Sequence, residues 1–107
     1  MNIQTPRPHT TSLARRFEIE LSKCTALRTR YETGSEGDRA GNARMLACAT
    51  FWAFVALEEL VVIGPAPVGA PEPREIVSLR DALGHPLTDP DLALRAHDRL
   101  QAFATAA

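Results

Sequence analysis

Residues 46–57 read Leu-Ala-Cys-Ala-Thr-Phe-Trp-Ala-Phe-Val-Ala-Leu, and Thr50 is the only polar side chain among them. The run is free of proline and glycine and rich in Ala and Leu, so it reads as the centre of a helix. That helix starts after the turn residues Gly34-Ser35-Glu36-Gly37-Asp38, with Ser35 or Asp38 as cap, and ends near Ile63 at Gly64-Pro65. An amphipathic surface helix buries one stripe, whereas a helix apolar around its circumference must be covered on more than one side. One neighbouring helix cannot do this. Either the C-terminal segment or a second copy of the chain must supply the rest, and the reading favours self-association.

Upstream, Leu13, Phe17, Leu21, Cys24, Leu27 and Tyr31 recur at intervals of three and four, the signature of one apolar helical stripe. Ser12 is the expected N-cap and Gly34 the stop, which gives a helix from 12 to about 33. Folded antiparallel about residues 36–37, the two helices bring Arg15 and Arg16 toward Glu58 and Glu59, and Cys24 toward Cys48. The opposite charges compensate there for an unfavourable placement relative to each helix dipole. Both cysteines are expected to be buried core thiols.

The expected fold is therefore all-α, an antiparallel helical hairpin followed by a small helical unit. Residues 1–11, with Pro6 and Pro8, read as an extended arm, 12–63 as the hairpin, and 64–73 (Gly-Pro-Ala-Pro-Val-Gly-Ala-Pro-Glu-Pro) as a stiff linker. Residues 74–107 follow as the C-terminal helical segment. Ile76, Leu79 and Leu83 share one face of a helix stopped by Gly84, although 76–80 also suits a short strand. Asp89-Pro90 opens a last helix with Leu92, Ala96, Leu100 and Phe103 on one side and His97 toward its boundary or solvent face.

Composition narrows the function. A 107-residue chain with 45% hydrophobic and 23% charged residues is an ordinary globular domain. The net charge of -1 conceals a split: residues 1–44 hold eight Arg or Lys and five acids, residues 45–107 four Arg and eight acids. Such a balance does not describe a general DNA binder. No apolar leader opens the sequence, and the longest uncharged stretch, 45–57, is short for a bilayer span, so neither secretion nor membrane insertion is expected. A reducing cytoplasm is the expected compartment.

No phosphate loop, nucleophile elbow or dinucleotide fingerprint occurs, and His9, His85 and His97 fit no common metal spacing. The reading is of a non-enzymatic protein with no metal and no cofactor. Lys23, Arg28, Arg30, Tyr31, Arg39 and Arg44, in the first helix and the turn, are candidates for an anionic ligand; several sit off the apolar stripe, and those near the turn add to the positive end of the second helix. Phe51, Trp52, Phe54 and Leu57 are candidates for an interface, where aromatics concentrate binding energy.

Lys23 is followed by Leu27, and later by Leu46, Ala49, Trp52-Ala53 and Ala56-Leu57, with a Gly/Ser/Arg-containing turn between. Over about 35 residues this resembles the helical-hairpin family of phage anti-CBASS sponges. That family's first helix carries Ala-Lys and its second reads approximately L-x-x-A-x-x-W-A-x-x-A-I. The resemblance implies a non-enzymatic homo-oligomer in the host cytoplasm that inhibits host defence by sequestering cyclic di- or trinucleotides between subunits, with Lys23 on the nucleotide. His9 stands loosely where the family has a tyrosine in the arm, and Ala47 and Cys48 replace its acidic residues. The alternatives are an inhibitor or adaptor that docks a host protein through the apolar second helix, and a purely structural oligomer.

Overall fold

A computed structural model describes residues 8–63, 71–85 and 89–106, and the described residues are helical with no strands. Helix α1 spans Pro8–Thr33, a 3-10 turn spans Glu36–Asp38, α2 spans Arg39–Ile63, α3 spans Pro73–Leu83 and α4 spans Pro90–Ala106. The fold class is all-α as read from the sequence. Helix α1 begins at Pro8 rather than at Ser12, so the expected arm loses its last residues to the helix. Proline is tolerated in a first helical turn, where its missing N–H has no intrahelical partner to lose. Residues 1–7 and most of the Pro-rich linker, 64–70, lie outside the described residues.

Gly34 ends α1 by close approach. Its N–H donates to the Arg30 carbonyl at 2.8 Å, and a Cβ built there would sit 2.6 Å from that same oxygen. Ser35 Oγ then donates to Asp38 Oδ2 at 3.0 Å, and the Asp38 N–H to the Ser35 carbonyl at 3.1 Å, which tightens the reversal into α2. The hairpin is antiparallel as expected, and Arg16 Nη1 meets Glu59 Oε2 at 3.2 Å. Glu58 instead pairs with Arg80 of α3.

The second side of α2 is covered by the chain itself. Helices α3 and α4 pack against α2, and α4 also reaches α1. Leu46, Thr50, Ala53 and Leu57 are fully or nearly fully buried, as are Phe54 and Ala56. Their partners include Phe17 and Cys24 of α1, Ile76 and Leu83 of α3, and Ala93, Leu100 and Phe103 of α4. The 76–80 segment is therefore helix, because Ile76 and Leu83 are its inward positions at a spacing of seven. Asp89 caps α4 as read from the sequence: its carboxylate accepts the Asp91 N–H at 3.0 Å, with Pro90 at the first helical position. By length and composition alone, Glu36–Val62 would suffice to cross a membrane; the core helix of a packed bundle has the same composition.

Candidate functional site

The heptad angle of α2 leaves one strip uncovered. Cys48 lies two residues from both Leu46 and Thr50, about 200° around the helix from each, so it falls outside the face those two buried residues occupy. It is exposed, contrary to the expectation of a buried thiol, while Cys24 is fully buried. Met45 and Trp52 share the strip with Cys48 and are 47% and 46% exposed. Exposed large apolar side chains are otherwise few among the described residues, namely Ile19 and Val62.

Trp52 is a crest between two grooves. One groove, of about 530 Å³, runs between α1 and α2 and is lined by Glu20, Lys23, Ala26, Leu27, Arg30, Met45, Cys48, Ala49 and Trp52. The other lies between α2 and the end of α3 and includes Arg44, Ala47, Cys48, Phe51, Trp52, Leu83 and Gly84. Phe51 holds the crest in place. Its ring lies so near Gly84 that a Cβ there would come within 3.2 Å of the ring edge, and it meets Trp52 edge-on with centroids 5.2 Å apart. Ring pairs in this geometry stabilise each other by roughly 0.5–1.5 kcal/mol beyond area burial. The indole is thus braced from one side and open on the other.

The structure redistributes the residues expected to bind a ligand. Lys23 is exposed, lines the α1–α2 groove and pairs with Glu20 at 3.7 Å. Arg28 does not face that groove: it is bound into the α1–α4 interface with Asp98, Glu32 and His97. Arg39 lies over the Tyr31 ring at 4.7 Å, where a cation is attracted to the ring face. The side chain of His9 lies outside the described residues. Arg30, another of the basic residues expected to bind a ligand, joins Lys23 on the groove.

The expected interface residues divide as well. Phe54 and Leu57 are fully buried within the chain, because α3 and α4 occupy the side of α2 on which a second copy had been expected. Phe51 is partly covered, and Trp52 alone of the four is exposed.

His97 is buried rather than solvent-facing. Arg28 Nη1 lies 3.1 Å from its Nδ1, and Thr25 Oγ1 lies 3.2 Å from its Nε2. Guanidinium can only donate, so Nδ1 accepts; Nε2–H then donates to Thr25, whose own proton goes to the Leu21 carbonyl at 3.1 Å. Burial lowers the imidazole pKa, and the Arg28 charge lowers it further against the opposing pull of Asp98 and Glu32. The result is a neutral imidazole with both nitrogens engaged, a strut between α1 and α4. Burial likewise pushes the Cys24 thiol up to about 11, which keeps it protonated and unreactive.

Compared with known protein families, curated proteins and solved structures, the chain matches none. Among the described residues, no group of three or more His, Cys, Asp or Glu side chains is placed to hold a metal ion.

Proposed function

We propose that this chain is a non-catalytic binding protein that docks a protein partner on the open strip of α2, with Trp52 as anchor. The observation that carries this reading is the placement of Trp52. It stands half-exposed and braced by Phe51 between two grooves, on a helix whose other sides are filled by its own chain. Trp is the side chain most enriched among binding hot spots, and a ring already fixed in place loses little freedom on docking. A photo-crosslinking phenylalanine analogue in place of Met45 tests the reading in cells, with the same analogue in place of the exposed Arg95 as control. A specific adduct from position 45, absent from position 95 and lost on Trp52→Ala, is the expected result. No adduct, or the same adducts from both positions, overturns it.

A second reading rests on Lys23 and Arg30, which line the same groove as Trp52. In it the groove takes a cyclic di- or trinucleotide, with a base on the indole and phosphates on the two cations, and the protein sequesters such signals as a phage-type inhibitor of host defence. Calorimetry with cyclic di- and trinucleotides and a Lys23→Ala control decides it. Saturable heat lost in the variant supports it, and the absence of heat at high micromolar concentration ends it.

A further inference from the structure

The open strip of α2 has a period of its own. Gly41, Met45, Cys48, Trp52, Val55, Glu59 and Val62 follow one another at alternating intervals of four and three. This is the spacing of the facing positions in paired helices, and it extends over three heptads or roughly 30 Å of helix. Gly41, Met45, Cys48, Trp52 and Val62 are exposed, and Val55 and Glu59 are partly so. Trp52 sits at the midpoint of the series.

We infer that this strip pairs with the same strip of a second copy, antiparallel, about a two-fold axis at Trp52. The inference rests on the docking reading and names its partner. In that register Cys48 faces Val55 of the second copy, Met45 faces Glu59, Gly41 faces Val62, and the two Trp52 side chains flank the axis. A two-fold interface must be self-complementary, since the same surface serves both sides. This face meets that demand because it carries both a knob, Trp52, and, beside it, the groove between Lys23, Ala26, Met45 and Ala49 that can receive the second copy's indole.

Charge selects the direction. Arg44 is exposed, flanks the strip on the turn side of Trp52 and makes no ion pair among the described residues. Glu59, whose Oε2 already accepts from Arg16 of its own chain at 3.2 Å, lies nearly as far on the other side, and its carboxylate can take a second guanidinium through Oε1. Antiparallel pairing sets Arg44 against Glu59 of the second copy, whereas parallel pairing sets Arg44 against Arg44 and Glu59 against Glu59. Like charges brought together at an interface oppose the wrong arrangement.

The full chain tests this by sedimentation equilibrium and by disulfide trapping. A monomer–dimer equilibrium is expected for the wild type. Trp52→Glu and, as a second variant, Met45→Glu should each weaken it on the order of a hundredfold or more with unchanged helical circular dichroism. Under mild oxidation, Val55→Cys should give a covalent dimer in which Cys48 of one chain is bonded to the introduced thiol of the other. A wild-type monomer at about 100 µM, a dimer indifferent to both glutamate variants, or a covalent link between identical positions overturns the inference. The docking reading fails separately: a monomer whose position-45 crosslinker captures one other protein ends the self-pairing and keeps the docking face, whereas a monomer that captures nothing ends both.

Discussion

Arg28 Nη1 lies 3.1 Å from Nδ1 of His97 and 2.5 Å from Oδ1 of Asp98, so a single guanidinium from α1 holds two successive residues of α4. The imidazole it holds is neutral, and this gives the fold a defined response to acid. The folded pKa of His97 lies below its ordinary value of 6.5, first through burial and then through Arg28. A group of this kind contributes nothing adverse while it is neutral in both folded and unfolded chains. As pH falls below about 6.5 the unfolded chain takes up a proton that the folded chain refuses, and stability is lost until the lowered folded pKa is reached. The urea midpoint is therefore expected to fall between about pH 7.5 and pH 5.5, and His97→Gln should flatten that part of the profile. An identical slope in the variant would assign the effect elsewhere.

Removing the donor should cost more than a surface ion pair would. Arg28→Ala leaves Nδ1 of buried His97 without its partner, for which about 1–3 kcal/mol is expected. Hydrogen exchange should locate the loss in α4 and the facing turns of α1. A variant as stable as the wild type would show that water replaces the guanidinium at no cost.

Phe54 and Trp52, two residues apart on α2, should behave as opposites in denaturation. Phe54 is fully buried, and Phe54→Ala is expected to cost about 3–5 kcal/mol. Trp52 is half-exposed, and Trp52→Ala should cost less than about 1 kcal/mol when measured in dilute solution. Equal losses would place both rings in one core.

The two thiols should separate by reactivity. At sub-micromolar concentration a thiol reagent should label Cys48 rapidly in the folded chain and Cys24 only on unfolding. Pairing along the α2 strip adds a second expectation, that labelling of Cys48 slows as protein concentration rises. Rapid labelling of Cys24 in the folded state would contradict the burial of its side chain.

Much of this architecture was legible because it depends on local chemistry. The 3–4 spacing from Leu13 to Tyr31, the stop at Gly34 and the Asp89-Pro90 cap each specify a helix or its end within a few residues. The composition of 46–57 likewise required cover on several sides. It did not say whose residues would supply that cover, since Ile76, Leu83, Leu100 and Phe103 suit a neighbouring copy as well as their own chain. Assigning Phe54 and Leu57 to an interface followed from that ambiguity. Cys48 was misplaced because opposition across a hairpin fixes height along the helix and leaves rotation about it free. His97 was read as boundary because Leu92, Ala96, Leu100 and Phe103 define a stripe that its ring only borders; the buried arc is rotated toward Ala93, and Ala93 with His97 at a spacing of four is the signal that would have found it.

The candidate site was legible only in part. Lys23 and Trp52 were identifiable as a cation and an aromatic off the first helix's stripe and on the second helix, and the fold brings them to one groove. Arg28 and Arg39 have the same residue type as Arg30, and only the position of α4 and of Tyr31 decides which guanidinium is already engaged.

Trp52 is the sole tryptophan of the chain, so its fluorescence reads the docking strip without interference. In dilute solution its emission should be that of a half-exposed indole, readily quenched by acrylamide. As the concentration is raised toward about 100 µM, it should shift to the blue and lose its quenching, while Met45→Glu keeps the dilute spectrum throughout. An indole shielded even at the lowest concentration, or one equally exposed across the whole range, would contradict an α2 strip that closes on a second copy.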